Sequence, residues 1–456
     1  MLSKNNFFKC FLIIILASFV GAGILVYEQE VEKEISLVFL GVEFPNIEFP
    51  EKDDQAFLKL FEDIGEEFIS DNIDFLKVNL AEMKASLYKE GLLVKEVPIV
   101  TKGNVDNWGG SASGLYKVLS GNKSSFSIGS GVYMPYALHY YGKYYIHGIP
   151  YYPGGVKLDS LFSGGCLRLK DEDAEDIYGL TELDMPVLVI DKERDDYEYM
   201  KREITELPEL SAKSYLIADL DSGYVFAEKD SSQLLPIASL TKLMTALVIV
   251  ENVNLKRSIL VEEKMLNGYG STKELEARKI FGVVELLYPL LIESSNDAAE
   301  IFSYFLGREK TIRLMNEKAK FILMNQTRFA DPSGFDPGNI STAKDLFYLA
   351  RYILNNRPPI LEITKGNKVR SFGDISFDIE KFWNKNVFIN DPTFVGGKTG
   401  FIQESKCTAI FIFRISNQKS IERNVVIITL GARNSKIDTQ KAYMWLLDNY
   451  FRGIRL

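Results

Sequence analysis

Two different nucleophile motifs in consecutive halves of one chain constrain this protein most. The first half contains Ile146-His147-Gly148 and then Ser163-Gly164-Gly165-Cys166-Leu167-Arg168-Leu169. The second half contains Ser239-Leu240-Thr241-Lys242, Ser294-Ser295-Asn296 and Lys398-Thr399-Gly400, in that order. One short motif arises by chance, whereas several in order, each in a fitting local context, do not. The sequence therefore predicts two catalytic sites, one built on a cysteine and one on a serine, that both form acyl-enzymes.

Length and composition exclude several other classes of protein. A chain of 456 residues is too long for one ordinary domain. The net charge of −9 argues against nucleic acid or an anionic membrane surface as partner. Three scattered cysteines and two histidines form neither a disulfide framework nor a metal-ligand set. We therefore expect no metal and no organic cofactor.

The N-terminus carries an export signal of one of two kinds. Residues 10–27 are uncharged, with Lys4 and Lys9 before them and four glutamates between Glu28 and Glu34. This run is long enough for a short membrane span, and the charge asymmetry predicts a cytoplasmic N-terminus with the catalytic domains on the outer, wall-facing side. The alternative is a signal peptide cleaved after Ala22, which would release a secreted protein. We expect residues 1–28 to be this anchor or signal segment.

Hydrophobic periodicity divides the rest of the chain into four parts. Residues 29–72 are predicted to be a tether that includes a short amphipathic helix at 53–70. Alternating patterns make residues 73–191, the cysteine domain, mostly β, and dense charge makes 192–211 a linker. Residues 212–456, the serine domain, mix strands with helical patterns, among them a long one from 283 to 302, and are predicted to be α+β.

The cysteine motif supplies the parts of a thiol nucleophile. A thiolate needs a base and donors for the developing oxyanion. His147 is a candidate base, and Gly148 after it lets the backbone approach a substrate. Arg168 can lower the pKa of the Cys166 thiol or bind a substrate carboxylate.

This stretch resembles the L,D-transpeptidase catalytic domain family over roughly residues 73–191. The resemblance includes Tyr133-Met134-Pro135-Tyr136 and Met185-Pro186-Val187-Leu188-Val189-Ile190. It implies that Cys166 attacks the peptide bond after the diamino acid of a stem tetrapeptide, and that His147, oriented by a backbone carbonyl, takes the thiol proton. The family usually has a second histidine where this chain has Gly164. His139 either compensates for that loss or is an ordinary strand residue.

The serine motifs supply a second acylation site. The i,i+3 spacing puts the Ser239 hydroxyl and the Lys242 amine on one helix face. Burial and a second cation, Lys398, would lower the pKa of Lys242 and make it a base. Ser294 can relay the proton and Asn296 can hold the substrate amide. Lys398, Thr399 and Gly400 offer charge, hydroxyl and close approach to a terminal carboxylate.

This half resembles the D-alanyl-D-alanine carboxypeptidases among the low-molecular-mass penicillin-binding proteins, over nearly all of 212–452. Segments 236–246, 295–299, 331–335 and 341–346 carry the likeness beyond the three motifs. Ser295 is a departure, since the family usually has glycine there. The resemblance implies a fold shared with serine β-lactamases and an oxyanion hole made of the backbone N–H groups of Ser239 and Phe401.

The sequence thus predicts an exported, bifunctional peptidoglycan enzyme that β-lactams inhibit. The serine domain would remove terminal D-Ala from stem pentapeptides, and the cysteine domain would make 3–3 cross-links from the resulting tetrapeptides. One alternative, motivated by Gly164, is an active carboxypeptidase with a degenerate, peptidoglycan-binding cysteine domain. Another is a serine β-lactamase, although segment 331–345 fits the carboxypeptidases better. A structural role with neither site active is a third.

Overall fold

The computed structural model describes residues 58–452, except 161, 193–194, 196, 200–203, 267–273 and 417–419. None of the helices in this part of the chain combines the length and the apolar character needed to cross a bilayer. The predicted anchor or signal, residues 1–28, lies outside the described residues. The two predicted classes, a mostly β domain followed by an α+β domain, are confirmed.

The cysteine domain begins with a helix and a five-stranded sheet. Helix α1 (Phe61–Ser70) corresponds to the C-terminal part of the helix predicted at 53–70. Its apolar face packs on the sheet through Phe61, Ile64 and Phe68, so the periodic pattern reflects core packing. The sheet has the order β3-β2-β1-β9-β4, with strands β1 (Phe75–Asn79), β2 (Lys84–Lys89), β3 (Leu92–Pro98), β4 (Gly114–Lys117) and β9 (Pro186–Ile190).

A second sheet carries the cysteine motif. Its order is β5-β6-β7-β8, with strands β5 (Ser120–Ser127), β6 (Val132–Tyr141), β7 (Tyr144–His147) and β8 (Leu167–Arg168). Strands β7 and β8 are parallel, with Ile146 opposite Leu167 and His147 opposite Arg168. Paired residues of neighbouring strands share a face, so His147 and Arg168 lie on the same face of this sheet, and Cys166 directly precedes β8. Helix α2 (Asp171–Leu180) follows β8 and was not predicted.

The serine domain is built on another five-stranded sheet, in the order β11-β10-β18-β17-β16. Its strands are β10 (Ser214–Asp219), β11 (Val225–Lys229), β16 (Phe394–Ile402), β17 (Lys406–Ser416) and β18 (Glu422–Ala432). Two short ribbons add β12 (Leu235–Pro236) with β15 (Ile340–Ser341) and β13 (Ser258–Leu260) with β14 (Ile280–Gly282). Apolar clusters cover both faces of the large sheet, as expected for a buried sheet.

Helices surround this sheet, and one of them lies inside the domain. Helix α3 (Thr241–Asn252) is buried from Thr241 to Glu251. The others are α4 (Val283–Tyr288), α5 (Asn296–Leu306), α6 (Arg308–Phe321), α7 (Ala343–Asn356), α8 (Pro358–Lys365) and α9 (Ser435–Leu446). Because α3 is buried on all sides, its first residues are held rigidly in the interior.

The prediction of one continuous helix from 283 to 302 is wrong. Helix α4 ends at Tyr288, a π-turn follows from Pro289 to Glu293, and α5 starts at Asn296. Between them Ser294 is left-handed, with φ 62° and ψ 38°. Proline lacks the N–H that would continue the α-helical ladder, and the left-handed residue then turns the chain. The break places Ser294 on a corner rather than on a helix face.

The two domains meet along a buried boundary. Leu58, Leu60 and Trp108 belong to the same apolar cluster as the serine-domain core, and the Trp108 indole donates to the Arg370 carbonyl over 2.9 Å. Segment 192–211, predicted as a charged linker, packs on the serine domain at Tyr199 and Leu210. Within it, the Tyr199 hydroxyl donates to Asp219 over 2.7 Å.

Candidate active sites

The start of α3 brings Ser239 and Lys242 together. Ser239 lies in the 3-10 turn Ala238–Leu240, and Lys242 lies in the first turn of α3. The Lys242 Nζ atom is 3.1 Å from Ser239 Oγ and 2.7 Å from Asn296 Oδ1, and it also donates to the Ser333 carbonyl. The amine is therefore within proton-transfer distance of the hydroxyl.

The environment of Lys242 suits a general base. Its side chain is fully buried, and this burial is the largest cause of a pKa lowered to about 7. Asp331 and Glu300 oppose the shift, and the positive charge of Lys385 adds to it. The predicted second cation, Lys398, is itself buried, and its pKa lies well below the ordinary lysine value through burial and the charges of Lys242 and Lys385.

A second hydroxyl–amine pair faces the same site. The Lys398 Nζ atom donates to Ser294 Oγ and to the Thr399 carbonyl, each over 2.9 Å. The structure thus places Ser294 with Lys398, and Asn296 with Lys242. Ser295, where the family usually has glycine, has φ −61° and ψ 126° and caps α5 by accepting from the Ala298 N–H over 3.2 Å. Because this backbone conformation needs no glycine, the departure costs nothing in geometry.

Strand β16 runs past the nucleophile at close range. A Cβ atom on Gly400 would lie 2.9 Å from the Ser239 nitrogen and 2.6 Å from Thr408 Oγ1. Only glycine allows this approach, which brings the backbone of Gly400, directly before Phe401, up to the Ser239 N–H. Such a pairing of backbone groups can form an oxyanion hole.

Residues 331–334, to which the sequence analysis gave no catalytic role, pack against the turn that carries Ser239. A Cβ atom on Gly334, which has φ +80°, would lie 2.0 Å from the Ala238 carbonyl oxygen. Asp331 Oδ1 accepts from the N–H groups of Ser333 and Gly334, and Ser333 in turn offers its carbonyl to Lys242. Lys385 was also missed, because it lies in no motif and comes close to the two lysines only in the folded chain.

In the first half, a tight turn presents Cys166. Gly165 has φ +119°, and a Cβ atom there would lie 2.3 Å from Cε1 of Tyr144. The thiol donates to the Lys143 carbonyl over 3.7 Å, and burial raises its pKa above the ordinary cysteine value. The Tyr145 backbone, Arg168 and Lys143 oppose that shift. The thiol is therefore protonated in the free protein and needs a base to become a nucleophile.

His147, the candidate base, is held by its own backbone. Its Nδ1–H donates to the Gly148 carbonyl over 2.6 Å, which leaves Nε2 as the acceptor. The side chain is buried, and burial, the largest cause, lowers the pKa to about 4. A Cβ atom on Gly148 would lie 2.6 Å from Asp171 Oδ1, so the glycine is needed for this packing. The imidazole is therefore neutral in the free protein, and the Gly148 carbonyl fixes its tautomer.

The remaining candidates of this half are placed as follows. Arg168 is buried, and its Nη1 donates to the Ser160 carbonyl and hydroxyl over 3.1 and 2.9 Å. A Cβ atom on Gly164 would meet nothing within 4 Å, so the position has room for a side chain. The recorded contacts of His139 do not include the Cys166 thiol. Its Nε2 atom contacts the Gly142 carbonyl at 2.9 Å, and its ring stacks on Tyr145. This agrees with an ordinary strand residue.

Across the described ranges, histidine, cysteine, aspartate and glutamate form no group of three that could hold a metal ion. Both sites consist of side chains and backbone groups suited to acyl transfer.

Two family models match this chain, one in each half. The family model described as "D-alanyl-D-alanine carboxypeptidase" matches residues 201–434, which is 234 of the 456 residues. The model described as "L,D-transpeptidase catalytic domain" matches residues 74–189.

Several curated proteins and solved structures are similar to the second half. The D-alanyl-D-alanine endopeptidase of Haemophilus influenzae is 36% identical over 44% of this chain and 70% of its own length. The D-alanyl-D-alanine carboxypeptidase DacB2 of Mycobacterium tuberculosis is 29% identical over 45% of this chain and 71% of its own. The structure of penicillin-binding protein D2 of Listeria monocytogenes in its ampicillin-bound form is 27% identical, with coverages of 52% and 98% and a TM-score of 0.45. This chain belongs to the D-alanyl-D-alanine carboxypeptidase family and carries an L,D-transpeptidase catalytic domain in front of the domain that places it there.

Proposed function

We propose that this protein is an exported, bifunctional enzyme of peptidoglycan stem peptides. Its serine domain removes terminal D-Ala from pentapeptides, and its cysteine domain joins the resulting tetrapeptides through 3–3 cross-links. The observation that carries the proposal is the 3.1 Å contact of Ser239 Oγ with a buried lysine whose pKa is about 7. A neutral amine in that position can take the serine proton at physiological pH.

The serine reaction follows from this geometry. Ser239 Oγ attacks the carbonyl carbon of the penultimate D-Ala, and its proton passes to Lys242. The C–N bond to the terminal D-Ala breaks, and the leaving amine receives a proton through Lys242 and Ser294. Lys398 and Thr399 hold the terminal carboxylate, whose negative charge favours the protonated form of Lys398. Water then hydrolyses the ester, and the tetrapeptide leaves.

The cysteine reaction uses the same sequence of steps with another acceptor. His147 takes the proton of Cys166, and the thiolate attacks the carbonyl of the third residue of a tetrapeptide. The terminal D-Ala leaves, and the side-chain amine of another stem peptide attacks the thioester. Arg168 lies on the same sheet face as His147, and its positive charge would stabilise the Cys166 thiolate. The product of the serine domain is thus the substrate of the cysteine domain, which explains why one chain carries both.

Endopeptidase activity is a second candidate for the serine domain. The relative with 36% identity is named a D-alanyl-D-alanine endopeptidase. The same serine, lysine and oxyanion groups would serve to cut a D-Ala bond inside a cross-link. Purified pentapeptide monomers and cross-linked dimers, offered in parallel, separate the two activities by their rates of cleavage.

Intact-protein mass spectrometry tests both sites. We expect penicillin to add its mass to Ser239, and Lys242→Ala to slow this labelling by ~10²–10⁴-fold because the base is lost. A carbapenem should in addition label Cys166. Penicillin labelling that survives Ser239→Ala would place acylation elsewhere, and rapid release of penicillin would favour a β-lactamase. An unlabelled Cys166 would favour the degenerate cysteine domain.

Export is tested by fractionation. A membrane-anchored protein should sediment with membranes and remain there after alkaline carbonate washing. A mature N-terminus near Gly23 would instead indicate signal cleavage and secretion.

A further inference from the structure

A buried ion cluster joins the two catalytic domains. Glu251, Lys318 and Arg357 of the serine domain are fully buried. Glu251 Oε1 is 2.7 Å from Arg357 Nη2, and Oε2 is 2.9 Å from Lys318 Nζ. Although burial alone would raise it, the pKa of Glu251 is lowered by these two cations. Charges buried this deeply are costly unless fully paired, so the three residues hold one another in fixed positions.

The cluster reaches the cysteine domain through two tyrosines. Arg357 Nη2 donates to the Tyr144 hydroxyl over 2.8 Å, and Lys318 Nζ donates to the Tyr116 hydroxyl over 2.9 Å. Tyr144 begins β7, which ends at His147. Each bond crosses from one domain to the other and lies in the interior.

Tyr144 also carries the turn that presents the nucleophile. Its ring lies directly beneath Gly165, where even a Cβ atom would be 2.3 Å from Cε1. Gly110 lies between Arg357 and this turn. A Cβ atom built on Gly110 would be 2.6 Å from Arg357 Nη1, and a Cβ atom built on Gly165 would be 3.2 Å from the Gly110 carbonyl oxygen. Gly165, the residue before Cys166, therefore lies between the Tyr144 ring, whose hydroxyl Arg357 binds, and the Gly110 carbonyl.

Helix α3 extends the connection to the serine site. The helix carries Lys242 in its first turn and Glu251 in its last, nine residues or about 14 Å further along. At that last turn Lys143 Nζ donates to the Val250 carbonyl over 3.3 Å, and the Lys143 carbonyl accepts from the Cys166 thiol. A cation at the C-terminal end of a helix is favoured by the helix dipole.

We propose that Arg357, acting through the Tyr144 hydroxyl, is a positioning residue for Cys166, so that the serine domain completes the cysteine site. The proposal rests on the proposed transpeptidase function only for its activity readout. Loss of the bond should loosen the Gly165–Cys166 turn. The thiol then becomes more accessible to a small reagent while it loses its alignment for acyl transfer.

The full-length protein tests this with three variants. Tyr144→Phe keeps the ring beneath Gly165 and removes only the hydroxyl. Arg357→Lys removes the same bond from the other side and keeps a cation beside Glu251. Tyr116→Phe is the matched control, since it removes an interdomain bond of the same kind that does not reach the cysteine turn. Iodoacetamide alkylation is followed by peptide mass spectrometry, which separates Cys166 from Cys10 and Cys407.

In Tyr144→Phe, iodoacetamide should alkylate Cys166 about fivefold faster at pH 7.5, which is the effect of losing one hydrogen bond of ordinary strength. The pH at which the alkylation rate reaches half its maximum should also be lower than in the wild type. Formation of 3–3 dimers should fall by at least a similar factor. Arg357→Lys should reproduce both changes, whereas Tyr116→Phe should stay within about twofold of wild type. Penicillin labelling of Ser239 should persist in all three.

Equal rates of Cys166 alkylation in Tyr144→Phe and Tyr116→Phe would overturn the proposal. A wild-type rate and pH dependence of Cys166 alkylation in Arg357→Lys would overturn it as well. Wild-type protein that makes no 3–3 dimers would contradict the proposed transpeptidation instead, and would leave the alkylation comparison intact.

Discussion

The Nζ atom of Lys242 lies 3.1 Å from the Oγ atom of Ser239, and both residues are held by their surroundings. Lys242 is held by Asn296 and the Ser333 carbonyl, while the backbone of the Ala238–Ser239 turn is packed between Gly334 and Gly400. Preorganisation of this kind removes most of the entropy cost of bringing a base to a nucleophile.

The rate of Ser239 acylation by penicillin should rise with pH and reach half its maximum near pH 7. A lysine with a lowered pKa is protonated below that value and neutral above it, and only the neutral amine accepts the serine proton. Because Lys385 contributes to this lowering, Lys385→Gln should move the midpoint to higher pH. Stopped-flow labelling between pH 5.5 and 9 measures both; an unmoved midpoint in Lys385→Gln would remove that residue from the account.

Adjacent glycines in the cysteine turn should respond oppositely to alanine. Gly165→Ala forces a side chain into φ +119° and against the Tyr144 ring, and the backbone strain alone costs about 1–3 kcal/mol. Gly164→Ala enters open space and should leave stability unchanged or slightly raised. Thermal unfolding and Cys166 alkylation check the pair. Equal losses in both variants would mean that the turn is not built as described.

Replacing Ser295 by glycine, the usual residue in the family, should destabilise the protein less than replacing it by alanine. Its side chain caps α5, and replacing such a cap by alanine costs about 0.5–2 kcal/mol, whereas glycine costs only a few tenths. Ser295→Ala should therefore lower the Tm more than Ser295→Gly does. Differential scanning calorimetry measures the order; a reversed order would show that the cap contributes little.

Neutralising the buried carboxylate at the domain boundary should destabilise the whole protein. Glu251→Gln leaves Lys318 and Arg357 without their counter-charge, and breaking a buried pair costs about 3–5 kcal/mol. The exposed pair of Lys84 and Glu96 provides the control, since Glu96→Gln should cost at most about 1 kcal/mol. Urea denaturation midpoints compare the two, and similar midpoints would contradict the role given to Glu251.

The motifs allowed much of the local geometry of both candidate sites to be predicted. Ser239 and Lys242 lie one helical turn apart, and the Gly165–Cys166 turn is marked by its glycines, so local sequence determines their geometry. The break before Ser294 had a local signal in Pro289, which a strictly periodic interpretation of 283–302 overrode.

Long-range contacts could not be predicted in the same way. Glu251 and Lys318 come from α3 and α6, Arg357 lies between α7 and α8, and each looks like an ordinary surface charge in the sequence. Lys385 approaches Lys242 and Lys398 only because a loop without regular structure crosses the site. Positions of this kind depend on how elements pack and not on any local pattern.

The most direct test of the coupled reaction gives the protein pentapeptide muropeptides as its only substrate and follows the products by mass spectrometry. Wild-type protein should yield 3–3 dimers, and Cys166→Ala should accumulate tetrapeptides without dimers. Ser239→Ala should yield no dimers until tetrapeptide is supplied, because a site that recognises the new terminal carboxylate rejects an additional residue. Cross-linking of pentapeptides by Ser239→Ala at the wild-type rate would show that the two sites do not act in sequence.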